Sequence, residues 1–360
     1  MGFGVARFDK QAMPEPQNVG RVTIELPRFF YVYKPTFFNQ PSLGVAWYVL
    51  RVSMEKQVRD NLGYHYTSID SFMSIFDGIE DGKFKFHASS IFSLNDPTEM
   101  EYGYREICKL LPEIEKELSI SDVRYKLSGM WSIDPQLSLN EWINRHLKMM
   151  RCNFQHSCVI SYSRNRDNLQ LWGMYGNNGK GVALGLDVRN YYIERISSDG
   201  QKIYDWTHME LGFPHAVDVE YSTISSRSIP YLYTKMEYSR YWQSIQHITE
   251  KDKIIDEQIN ALTQMMIIVA PFVKHSVYGY EKESRIIQVH KKILDIKFKK
   301  NARESITPYI EVEIPTSCLK EVIVGPCCDF DLMKKCIEIM LLQKGIKDVE
   351  IVPSSVPYRS

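Results

Sequence analysis

Apolar and polar positions alternate with a period of two over Lys83-Phe84-Lys85-Phe86-His87, the spacing of a half-buried strand. Ser157-Cys158-Val159-Ile160-Ser161-Tyr162-Ser163 is a second, more apolar strand. A third runs over residues 182–187, behind the dense turn chemistry of Asn177-Asn178-Gly179-Lys180-Gly181. Residues 280–289, YEKESRIIQV, predict another. The tail predicts strands over 309–314 and 319–324, a helix over 329–343 with Gly345 beyond its end, and a strand over 348–352.

Between these strands the spacing becomes helical. Ser68 or Asp70 can cap a helix running to residue 76, and residues 99–118 follow the polar turn LNDPTE with helical periodicity. The capping box Ser138-Leu139-Asn140-Glu141 opens a helix to residue 150, residues 168–175 make a short one, and residues 236–270 carry another, ended by Pro271. The pattern predicts an α+β fold with mixed, mainly antiparallel sheets, helical insertions over 100–155 and 236–270, and a C-terminal ββαβ segment. Residues 1–60 mix prolines with aromatic clusters such as Phe29-Phe30-Tyr31-Val32-Tyr33 and read as an accessory N-terminal segment. Residues 61–358 then form a single domain.

Composition narrows the class. Of 360 residues 44% are hydrophobic and 24% charged, which gives disorder no support. Lys+Arg and Asp+Glu balance at 44 each, so no global field draws the chain to nucleic acid or an anionic membrane. Seven cysteines without a CxxC pair or a Cys/His ligand set fit a reducing compartment. The first twenty residues lack the charged start and apolar block of a secretion signal, and Ala6 spoils a lipidation motif at Gly2. The longest apolar stretches are too short to cross a bilayer. The expectation is a cytoplasmic protein without a membrane partner.

The segment best suited to chemistry is YEKESR. In a strand, Glu281, Glu283 and Arg285 share one face, with consecutive members roughly 7 Å apart at Cα. That spacing suits two acids flanking one reactive carbon, as glycosidic chemistry requires. The competing explanation is a solvated strand face on which Arg285 neutralises Glu283. His65, between Tyr64 and Tyr66, can donate to a ribose or phosphate, or be a half-buried structural residue. Ser161 and Ser163 share a strand face and either line a site or satisfy backbone groups. Trp172 and Tyr175, next to the NNGKG glycines, either stack on a nucleotide or pack in the core; the run lacks both the P-loop and the dinucleotide signatures. Asn95, Asp96 and Glu99 can hold a ligand or cation, or make an ordinary turn before a helix. Val324-Gly325-Pro326-Cys327-Cys328-Asp329 joins a strand to a helix start without a nearby base for the thiols. Lys291, Lys292, Lys297, Lys299, Lys300 and Arg303 form the one distinct basic stretch.

In order, YHYTSIDSF, FSLNDPTE, SCVISYS, LWGMYGNNGKGVALGLD, YEKESRII and LKEVIVGP resemble an uncharacterised bacterial family with members near anti-phage defence genes. The resemblance spans most of residues 62–358. That family is in turn distantly similar to ADP-ribosyltransferase-like folds, which split NAD and pass ADP-ribose to an acceptor. The resemblance implies an ADP-ribosyltransferase-like core with His65 and Tyr66 at the first motif and Ser161 with Ser163 at the second. It also implies Trp172, Tyr175 and Arg285 beside NAD, Glu283 as the catalytic acid, and Glu281 as the group that orients or deprotonates the acceptor. Many such transferases carry arginine where this chain has His65, and the histidine class usually pairs with a tyrosine; Tyr162 and Tyr175 both qualify.

These readings predict an NAD-dependent ADP-ribosyltransferase or glycohydrolase acting as a toxin or defence effector, with NAD as substrate. Its acceptor would be a protein or a nucleic acid, with a regulatory protein partner. Two rivals differ in class. One is a non-catalytic nucleotide- or protein-binding module. The other is a nuclease using Asp96, Glu99, Glu281 and Glu283 with a divalent ion, for which no compact metal motif is present.

Overall fold

The structure, a computed structural model, describes residues 62–357 apart from residues 97, 133–137, 153–156, 189–194, 197–201, 204–215, 227, 290–292 and 301–304. The accessory segment expected over residues 1–60 lies outside the described residues. The architecture is α+β, built on one open, mostly antiparallel sheet.

The central strands are β1 (Gly63–Thr67), β2 (Lys83–Ser90), β3 (Ser157–Ser163) and β4 (Val182–Leu186). A separate two-residue ribbon pairs β5 (Arg195–Ile196) with β6 (Lys202–Ile203). Then come β7 (Val217–Asp218), β8 (Glu220–Tyr221), β9 (Val273–Lys274), β10 (Glu283–Val289), β11 (Lys297–Lys300), β12 (Ile306–Pro315), β13 (Leu319–Val324) and β14 (Glu350–Pro353). The order across the sheet is β11-β12-β2-β3-β1-β4-β13-β14; off this path β10 pairs with β3, and β7 pairs with β10. The tail forms the predicted ββαβ elements, but β12 and β13 sit on opposite sides of the sheet. Strand β12 pairs with β2, whereas β13 pairs with β4 and, in parallel, with β14.

The sheet divides at β3. One edge of β3 pairs with β10 along its length, from Glu283 opposite Ser163 to Val289 opposite Ser157. The other edge is shared by β2, at Val159 and Cys158, and β1, at Ser163. Residues 160–162 therefore face a fork on that edge. Paired residues share a sheet face, so Tyr162, Ile160 and Cys158 turn one way with Ser284 and Ile286. Ser163, Ser161 and Val159 turn the other way with Glu283, Arg285 and Ile287.

Helices cover both faces. On the Tyr162 face, α1 (Ile69–Asp77) and α7 (Phe330–Gln343) complete a core containing Phe72, Ile75, Phe76, Phe84, Leu184 and Ile337. Ser68 caps α1 by accepting from the Ser71 amide at 3.2 Å, and the i, i+3, i+4 spacing of Phe72, Ile75 and Phe76 aims its apolar stripe at the sheet. On the Ser161 face lie α2 (Glu99–Glu117), α3 (Leu139–Cys152), α5 (Ile229–Ile245) and α6 (Lys251–Val269), packed on Val159 and Ile287. Helix α3 carries the reciprocal capping box: Ser138 N donates to Glu141 at 2.8 Å and Glu141 N donates to Ser138 Oγ at 3.3 Å. The helical spacing over 236–270 falls on two helices, broken at residues 246–250, that pack against each other. A smaller core of Tyr64, Tyr66, Leu171, Trp172, Ala183 and Ile323 occupies the same face beyond β3, with the short α4 (Leu169–Met174) above it. The site lies between the helical layer and this smaller core.

Close approach of α2 to the end of α6 requires a glycine. A Cβ on Gly103 would stand 2.4 Å from the carbonyl oxygen of Ala270. We expect Gly103→Ala to lower stability by about 1–3 kcal/mol, the usual cost of overpacking; a urea midpoint equal to that of the parent chain would contradict this contact.

Candidate functional site

Lys274 is the centre of a buried group of charges. Strand β9 lies parallel to β8, with Tyr221 beside Lys274. Its Nζ stands 2.6 Å from Glu281 Oε2, 3.0 Å from Glu283 Oε2 and 4.0 Å from Glu99 Oε2. Arg285 is the second cation. It donates to Glu283 through Nε at 2.7 Å and Nη2 at 2.9 Å, while Nη1 donates to Glu99 and to the carbonyl of Pro271. All five charged residues are buried.

Each side chain arrives by a different local device. Glu283 and Arg285 are alternate residues of β10. Glu99 opens α2, where the turn before it is fastened by Thr98 donating to Asp96 Oδ1 from N at 2.8 Å and from Oγ1 at 2.7 Å. Glu281 is not on the strand, contrary to expectation. It ends a 3₁₀ turn, Ser276–Glu281, and Lys282 follows in the left-handed region with φ 42°, so β10 begins only at Glu283. Ser163 Oγ donates to the Glu281 carbonyl at 2.5 Å, and His275 Nδ1 caps the turn by accepting from Val277 N at 3.2 Å. The turn brings the Glu281 carboxylate back to the same ammonium that Glu283 meets. Tyr175 donates to Glu281 Oε1 at 3.0 Å, and Asn95 is hydrogen-bonded to Tyr175. Tyr221 accepts from Glu283 N at 2.8 Å, and Ser161 donates to the Glu283 carboxylate.

Three carboxylates meet two cations, a surplus of one negative charge in a setting where charges interact strongly. The acids respond unequally. Burial pushes Glu283 up, but Arg285 and Lys274 outweigh it and bring it down to about 2. Burial raises Glu281, the charge of Glu283 adds to this, and Lys274 works against it. Burial also raises Glu99, against the pull of Arg285. Adjacent carboxylates held at different proton affinities are the arrangement that separates an acid from a base.

Of the residues singled out in the sequence, Glu99, Glu281, Glu283, Arg285, Ser161 and Tyr175 converge here, with Asn95 bonded to Tyr175, Asp96 fastening the turn before Glu99 and Ser163 the turn at Glu281. Tyr66 and Trp172 lie on the same sheet face but beneath the surface. Tyr66 donates to Asn165 O at 2.9 Å and accepts from Asn168 N at 3.0 Å. Trp172 is 0% exposed, edge-on to Tyr66 and donating to Asp167 at 2.7 Å, so its ring is packing and not a stacking platform. His65 is not part of the cluster. Tyr64 opposite Ser163 fixes the alternation of β1, which sends His65 to the other face, between Phe86 and Tyr162. There its Nδ1 donates to Ser161 O at 3.1 Å and satisfies a carbonyl that the fork leaves without a strand partner. Lys274 and Tyr221 carry no motif of their own. Glu99 stands 186 residues before Arg285, its partner.

Most of this group falls within one matched segment. Residues 171–286 match the family described as Protein of unknown function (DUF2971). The matched segment carries Tyr175, Tyr221, Lys274, Glu281, Glu283 and Arg285; Glu99 and Ser161 precede it. No curated protein and no solved structure matches the chain. Among the described residues, no helix is long and apolar enough to cross a membrane, and no three His, Cys, Asp or Glu side chains form a metal-holding group.

The charges set opposite pH trends. Glu283 sits below its ordinary value of 4.5, so it stabilises the fold above that value and the contribution is lost as pH falls toward 2. Glu281 is raised, so it costs stability when ionised, and the cost disappears on acidification. We expect Glu283→Gln to lose about 3–5 kcal/mol at pH 7 and to show a shallower acid limb below pH 4.5. Glu281→Gln should match or exceed the parent at pH 8. Urea midpoints from pH 3 to 8 test both, and a Glu281→Gln variant weakened as much as Glu283→Gln would refute the assignment.

Proposed function

We propose that the chain is a nucleotide-dependent glycosyl-transfer enzyme that cleaves the N-glycosidic bond of NAD and passes ADP-ribose to water or a macromolecular acceptor, in the service of a toxin or anti-phage effector role. One observation carries the reading: Glu281 and Glu283 meet at the single ammonium of Lys274 with opposite shifts in proton affinity. Cleavage places positive charge on the ribose as the electron pair of the C–N bond leaves with nicotinamide. Ionised Glu283 stabilises that charge, aided by the net negative surplus of the cluster. The acceptor oxygen then bonds to the ribose carbon and gives its proton to Glu281, whose raised affinity suits a general base. Tyr175, bonded to Glu281, fixes the orientation of that carboxylate. His65 takes no part, so the proposal rests on the acid pair and not on the first-strand motif.

A second reading has its own support. Arg285 is enclosed with Glu99 and Glu283, as a structural tie between helix and sheet would be, and this fits a module that binds a nucleotide without turning it over. The ammonium of Lys274 occupies the space between carboxylates that a nuclease would give to a divalent ion, which disfavours the metal-dependent alternative.

Incubation of the full chain with NAD and cell extract, followed by chromatography of nicotinamide, separates these readings. Enzymatic cleavage predicts release that falls about 10²–10⁴-fold in a folded Glu281→Gln variant. Saturable nucleotide binding without nicotinamide release would establish the binding module instead.

A further inference from the structure

Among the described residues, the wing of the sheet formed by β11, β12 and β2 carries a second charge imbalance, of opposite sign. Lys297 pairs with Tyr309, Lys299 with Thr307, and Glu311 with His87, so these side chains share a face. Ser89 opposite Tyr309 and opposite Val159 extends that face across to Ser161 and Glu283. The wing and the acidic cluster therefore look out on the same side, with β3 between them.

Within the wing, Lys297 is answered by Glu311 at 2.7 Å. Lys299 is not: among the described residues no carboxylate lies within 4.0 Å of its ammonium, which rests 5.4 Å from the centre of the Tyr309 ring. The His87 ring lies against the other part of Tyr309, centroids 4.1 Å apart and planes inclined by 33°. Its ring nitrogens make no hydrogen bond to a described residue. Burial holds Lys299 below its ordinary proton affinity and does the same for His87, with the charge of Lys299 adding to the effect. A half-buried cation without a counter-ion is costly unless something else answers it. Here the donors beside it are an ammonium and an imidazole spread around one aromatic ring. A phosphoryl group, with several acceptor oxygens, suits such a pair of donors.

We propose that Lys299, His87 and the Tyr309 ring form a phosphate-binding subsite for a phosphorylated ligand. This stands whether or not the acidic cluster cleaves anything. That the ligand is a nucleotide whose sugar reaches the acidic cluster, past Ser161, rests on the glycosyl-transfer reading.

Isothermal titration of the full chain with inorganic pyrophosphate at low salt tests the subsite without requiring turnover. We expect saturable binding, weakened about tenfold or more in Lys299→Met, as loss of one charge-assisted contact implies. Lys297→Met, which removes an exposed and already paired cation, should change it less than about twofold. In the parent chain the His87 ring protons should shift on titration. Absence of saturable binding, or equal weakening by both lysine variants, would overturn the subsite. Pyrophosphate binding by a chain that leaves NAD intact would remove the glycosyl-transfer reading alone.

Discussion

The guanidinium of Arg285 ties together parts of the chain that nothing in local sequence would join. It reaches Glu99 at the start of α2, the Pro271 carbonyl at the end of α6, and Glu283 on its own strand. A planar group with five donors can serve three partners in fixed directions, which lysine cannot do. At 1% exposure it has no water to fall back on, so each partner is obligatory. The seat of α2 against the sheet, and with it the positions of Glu99 and Glu283, depends on this one side chain.

A buried ionic network is a poor source of stability, because desolvation offsets most of the attraction. Its value lies in uniqueness: apolar side chains tolerate sliding, whereas Arg285 and Lys274 accept only arrangements in which their acids meet them. The same exclusion of water makes the cluster chemically unusual. Glu281 and Glu283 are neighbours in sequence and share an ammonium, yet one is pushed toward its neutral form and the other held ionised. The difference arises because Glu283 also receives the Arg285 fork and Glu281 does not.

Element type was legible wherever a local rule governed it: the capping box at Ser138, the alternation at Lys83–His87, the apolar stripe of α1 and the ββαβ tail. Long-range arrangement was not. Nothing in the tail reveals that β12 and β13 lie on opposite sides of the sheet. The face of His65 depends on the register between β1 and β3, and one residue of slip would reverse it. Period-two spacing continues through Glu281 and extends the strand pattern past its true start, because the left-handed Lys282 is invisible to periodicity. A turn, and not a shared strand face, brings the two carboxylates together. Lys274 leaves no signal in the sequence, because a lone lysine in an apolar run carries no pattern.

The fork at β3 has a mechanical meaning. A continuous ladder transmits bending evenly across all its strands, but here two plates, β11-β12-β2 and β1-β4-β13-β14, are joined along a single strand and pinned by one imidazole. Shear between them is resisted at residues 160–162 by side chains and not by a backbone ladder. The seam runs under Ser161, so any relative tilt of the plates alters the spacing between the acidic and basic ends of this surface.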